Sequence, residues 1–123
     1  MLSIDREAFE EIVREALARL PGEFAERIDN MAVVVEDEPG PEDFHEMGLD
    51  PEEDADEIFG LYQGTPLIDR GVSFSGPPDR IVIYRGPILR ACASRREAVR
   101  EIRETVLHEL GHHFGLNDEE MPY

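Results

Sequence analysis

Apolar positions in the first twenty residues fall on a helical repeat. Ile4, Ala8, Phe9, Ile12, Val13, Ala16, Leu17 and Leu20 follow the i, i+3, i+4 spacing that lines one helix face. Ser3 is the expected N-cap, Asp5 and Glu7 suit the positive end of the helix dipole, and Pro21-Gly22 is the expected stop. The face has the periodicity of a core face and carries no sign of a cofactor site. The pattern then changes. Met31–Val35 is a short β-branched run ending in acids and Pro39, which predicts a buried strand. Ile58–Gln63 and Arg80–Arg85 ("RIVIYR") are two further predicted strands, closed by Gly64 with Pro66 and by Gly86-Pro87. "GVSFSGPPDR" is a turn-rich connector.

A last helix is predicted from Ser94 to about Phe114. Ser94-Arg95-Arg96-Glu97 has the form of a capping box, and Gly115 suits the left-handed position that ends a helix. Ala98, Val99, Ile102, Val106 and Leu110 share one face, and Arg96, Arg100 and Arg103 lie opposite. The coarse order is helix, strand, loop, strand, loop, strand, helix.

Between the first two strands the chain turns acidic. Residues 36–57 hold twelve carboxylates, and no arginine occurs between Arg27 and Arg70. "DPEEDADE" lacks the spacing of a calcium-binding EF-hand loop, so this stretch, with His45, reads as a solvated loop. Over the whole chain, 29 acidic residues face 12 basic ones, for a net charge of −17. All the basic residues are arginine. Such a surface disfavours nucleic acid and anionic membranes as partners. The single cysteine, Cys92, rules out an intrachain disulfide. The acid-rich N-terminal segment reads as neither a signal peptide nor a membrane span, so the expectation is a cytoplasmic protein. At 123 residues the chain is expected to form a single domain, 1–123.

The chemistry concentrates in "TVLHELGHHFGLND", Thr105–Asp118. His108 and His112 lie one turn apart, about 40° from each other around the helix, so both imidazoles can reach one ion. Glu109 can reach a water on that ion, which zinc acidifies enough for a carboxylate to take its proton. Two histidines leave a tetrahedral zinc short of a protein ligand. A turn at Gly115 lets Asp118 swing back as the third metal ligand. His113 lies about 140° from His108, in the apolar face, and is expected to be a core residue. The competing reading of the whole stretch is a helix that is merely rich in histidine.

His108, Glu109, His112, Gly115 and Asp118 form the elongated pattern His-Glu-x-x-His-x-x-Gly-x-x-Asp, which resembles metzincin-like proteases with Asp in place of the third histidine. "GLYQGTPL", "PDRIVIYRGPILRAC" and "VLHELGHHFGLND" resemble a family of small bacterial zincin-like proteins, or minimal metalloproteases. The resemblance implies an α+β fold: a compact zincin-like core, with a short mixed sheet of about three or four strands packed against the N-terminal and active-site helices. It also implies a zinc-dependent metallopeptidase, with His108, His112 and Asp118 as metal ligands and Glu109 as the catalytic base, acting on a peptide or protein substrate. In such a site an edge strand beside the active-site helix pairs with the substrate, and Arg80–Arg85 is the expected strand. Tyr84 and Tyr123 are candidate donors to the oxyanion. Two other readings stand beside this one: a non-catalytic metal-binding module, and an acidic protein that binds a basic partner.

Overall fold

In a computed structural model of the chain, the described residues are 1–28, 31–64 and 79–113, with the side chains of Glu23, Arg27 and His113 outside that description. The elements follow as α1 (Arg6–Ala18), α2 (Gly22–Ile28), β1 (Ala32–Glu36), α3 (Pro41–Met47), β2 (Gly60–Gln63), β3 (Arg80–Tyr84), α4 (Arg85–Ala91) and α5 (Arg95–His113). This is an α+β architecture built on a small mixed sheet, as the resemblance implies. Among the described residues no helix is long and apolar enough to cross a membrane.

The first helix buries Phe9, Ile12, Val13 and Ala16, the stripe expected from its spacing. Its N-cap is Asp5, not Ser3: Asp5 is extended, and its carboxylate accepts from the Ala8 N–H at 2.8 Å. An ionised cap also meets the positive helix end, which a serine hydroxyl does less well. Pro21 both ends this segment and starts α2. Its carbonyl accepts from the N–H groups of Phe24 and Ala25 at 2.9 and 3.0 Å, and proline's missing N–H costs nothing at a helix start.

The strand order is β1-β3-β2. β1 runs parallel to β3 with Val34 opposite Val82, and β2 runs antiparallel to it with Leu61 opposite Val82. The Arg80–Arg85 segment is therefore central, which corrects its expected place at an edge. Its residues Ile81, Val82, Ile83 and Tyr84 are all fully buried. An unbroken apolar run is what a strand covered on both faces requires.

The period-2 alternation of β3 divides the core. Ile81 and Ile83 join α1, α4 and α5 in the larger cluster, with Phe9, Ile88, Ile102, Val106 and Leu110. Val82 and Tyr84 face the other way, into a smaller cluster with Phe44, Ile58 and Leu61. Phe44 belongs to α3, so the acidic stretch is not only a solvated loop. Asp43 of α3 accepts from the Tyr84 hydroxyl at 2.9 Å. Arg90 holds the same stretch to α4 through Glu38 and through Asp56 at 2.7 Å. His45 of α3 is exposed.

Helix α4 is a further departure from the sequence pattern. The chain passes directly from β3 into it through Tyr84, and it buries Pro87, Ile88 and Leu89. Proline is tolerated in the first turn of a helix, so Gly86-Pro87 ends the strand without preventing a helix.

Candidate metal centre

Helix α5 carries the site, and its start fixes the helix's register. Ser94 Oγ accepts from the Glu97 N–H at 3.2 Å. The Glu97 carboxylate reaches back to the N–H of Ala93 at 2.7 Å, one residue before its partner in a standard capping box. Below this cap, Ala98, Val99, Ile102, Val106, Leu107 and Leu110 are buried, anchoring the helix against α1, α4 and the sheet. The polar residues of its last turns are thereby turned to one place.

His108 and His112 are half-buried neighbours, with ring centroids 5.1 Å apart and planes at 80°. His108, Glu109 and His112 each offer one ligand atom, and these atoms lie within 4.8 Å of one another. Two imidazole nitrogens suit zinc as ligands, and the adjacent Glu109 carboxylate stands where it can reach a water on such an ion. Glu109 is only 6% exposed. A carboxylate so buried requires partners, and one of them is the N–H of Tyr62, which donates to Oε1 at 2.8 Å.

That bond ties the site to the sheet. Tyr84 donates its N–H to the Phe59 carbonyl at 2.9 Å, which places Phe59, Leu61 and Gln63 at the positions bonded to β3. Gly60 and Tyr62 therefore direct their backbone groups away from β3, towards α5. Gly60 is needed there, because a Cβ would stand 2.6 Å from Thr105 Cγ2 and 3.0 Å from the Val82 carbonyl oxygen. β2 is the sheet edge beside α5 among the described residues. A cleft of about 260 Å³ opens between them, with Gly60, Thr105, His108 and Glu109 in its lining.

The residues expected from the sequence separate into three groups. His108, Glu109 and His112 come together. Asp118, the expected third ligand, lies outside the described residues, as do Gly115, Tyr123 and the side chain of His113. Tyr84 is the correction: it is fully buried in the smaller cluster, bonded to Asp43, and absent from the lining of the cleft. Burial and then the bond to Asp43 push its phenol well above the usual tyrosine range. The Tyr62 amide and Gly60 were not among the residues expected from the sequence. A glycine at a strand start was a usable sign of close backbone approach, but nothing in a sequence marks which amide meets a carboxylate.

The sequence profile described as zincin-like metallopeptidase matches residues 28–123. A search of the curated proteins finds no match. Among solved structures, the chain is similar to a conserved hypothetical protein from Thermo thermophilus, with 28% identity and a TM-score of 0.57. The similarity covers 90% of this chain and 94% of that one.

Proposed function

The chain belongs to the zincin-like metallopeptidase family, and from that premise we propose that it is a zinc-dependent peptidase with Glu109 as the general base. The observation that carries this reading is the convergence of His108, Glu109 and His112 within 4.8 Å, with His108 and Glu109 at the wall of a cleft. His108 and His112 would hold the zinc, and Asp118 is the proposed third ligand. With zinc bound, the site gains a Lewis acid and a water acidified towards neutrality.

The chain's own residues supply the remaining steps. Glu109 accepts the proton of the attacking water and passes it to the departing amine. The Tyr62 N–H fixes the rotamer of that carboxylate from the sheet side. The apolar contacts of Val106 and Leu110 hold the helix on which both histidines stand. An extended peptide would lie along β2 at Gly60, beside the cleft, in place of the Arg80–Arg85 pairing expected from the sequence.

The test is cleavage of a mixed peptide library by the zinc-loaded protein and by Glu109→Gln, with zinc content measured in both. The expected result is cleavage by the native protein alone at equal zinc content. Equal cleavage by the variant would overturn the role of Glu109. Stoichiometric zinc without turnover by either protein would favour a non-catalytic metal module.

A further inference from the structure

The lining of the cleft at His108 and Glu109 is of two kinds. Met47 and Phe59 supply apolar surface, and Met47 is 44% exposed. Glu57, Glu101 and Glu104 supply carboxylates, and among the described residues no arginine lines the cleft. Its volume of about 260 Å³ suits one long side chain, since pockets for drug-sized ligands run from about 300 to 1,000 Å³.

The arginines of helix α5 do not line this cleft. Arg96, Arg100 and Arg103 line a different groove, together with Arg19. On α1, ion pairs form at the i, i+4 spacing, between Arg6 and Glu10 at 3.3 Å and between Glu15 and Arg19 at 3.0 Å. Arg100 and Glu104 have the same spacing on α5. Among the described residues, no ion pair joins Glu57, Glu101 or Glu104 to any arginine. Glu101 is half-buried nevertheless. Burial, and then the neighbouring Glu104, hold its carboxyl above the usual range, against the pull of Arg100. Half-burying a carboxylate beside another without a cation works against folding, and groups kept in such positions in a cleft mark function.

We infer that Glu101 and Glu104 determine the specificity of this cleft, and that its peptide substrates place a lysine or arginine side chain in it. The inference rests on the peptidase reading above and names its substrate class. The aliphatic stem of the basic residue lies along Met47 and Phe59, and its cationic head meets the carboxylates. An acidic side chain is repelled at the same point. The net charge of −17 attracts any cationic peptide, but its field is screened over about 8 Å at physiological salt. Selection therefore falls to carboxylates inside the cleft.

The experiment uses a peptide series in which lysine is moved through each position in turn, paired with the same peptides carrying norleucine. Zinc-loaded native protein is compared with Glu101→Gln/Glu104→Gln. A charge-matched control, Glu52→Gln/Glu53→Gln, changes the exposed acidic turn. At one position the native protein should prefer lysine by at least tenfold in kcat/KM. That preference should fall at least tenfold in the cleft variant and persist in the control. Equal use of lysine and norleucine at every position, or a preference lost equally in both variants, would overturn the inference.

Fluorescence anisotropy of the same pairs decides the matter separately from turnover. Tighter binding of one lysine peptide, lost only in the cleft variant, supports the inference even if no peptide is cut. Equal binding of every pair overturns it while leaving the peptidase reading to its own test.

Discussion

The Tyr62 N–H donates to the Glu109 carboxylate at 2.8 Å, across 47 positions of sequence. The residue proposed to move the proton is thus also the acceptor for an outward-facing amide of β2. The two roles can be separated by substitution. Glu109→Gln keeps an oxygen acceptor but loses the basic carboxylate. It should melt close to the native protein and retain zinc, while peptide cleavage falls about 100-fold or more. Glu109→Ala leaves the amide without this partner and should lose about 1–3 kcal/mol of stability. Calorimetry of both variants checks the difference, and faster hydrogen exchange at Tyr62 in the alanine variant alone would locate it.

Gly60→Ala tests the close approach of strand and helix. The added methyl would meet Thr105 Cγ2 at 2.6 Å and the Val82 carbonyl oxygen at 3.0 Å, so β2 and α5 must move apart. The expected cost is about 1–3 kcal/mol, in the range of an overpacked core. Thr105→Ser removes the methyl that is struck first. Thermal melts of the double variant should recover part of the loss. A Gly60→Ala protein as stable as the native one would show that the approach is not tight.

Metal binding by His108 and His112 should appear as stability. A ligand that binds only the folded state at 100 times its Kd adds about 2.7 kcal/mol. Zinc should raise the Tm by several degrees, and a chelator should reverse the rise. His108→Ala/His112→Ala should melt at the same temperature with and without zinc. A rise that survives in that variant would place the ion elsewhere.

The parts of this fold that were legible in the sequence are those set by periodicity. The stripe Phe9, Ile12, Val13, Ala16 and the face Ala98 to Leu110 are both buried, because a 3.6-residue repeat has one way to meet a core. The motif residues His108, Glu109 and His112 were legible because their spacing is local, within little more than one helical turn. Helix α3 was hidden by composition: it buries one apolar side chain, Phe44, among acids. Helix α4 was hidden by Gly86-Pro87, which end a strand and are equally compatible with the first turn of a helix. The place of β3 at the centre of the sheet depends on pairing partners far apart in sequence. The run from Ile81 to Tyr84 held a hint, since apolar residues at consecutive positions need cover on both faces. The bond from Tyr62 to Glu109 joins two elements whose meeting no local pattern encodes.

Glu101 gives a prediction about pH whose sign follows from its surroundings. Its carboxyl lies above the ordinary glutamate value of 4.5, through burial first and the Glu104 carboxylate second, with Arg100 opposing both. Glu57, His108 and Glu109 line the same cleft. A carboxyl raised in the folded state binds its proton more tightly there than in the unfolded chain. Its contribution to stability is therefore complete below the unfolded value and is lost as the pH rises through the folded one. At pH 7 the ionised group opposes folding, and Glu101→Gln should raise the Tm. Near pH 4 both proteins carry a neutral group at this position, and the difference should shrink towards zero. Melts of the zinc-free pair from pH 4 to pH 7.5 measure it, with Glu52→Gln as an exposed reference. A gain independent of pH, or one shared by the reference, would mean that the cleft does not hold Glu101 against its charge.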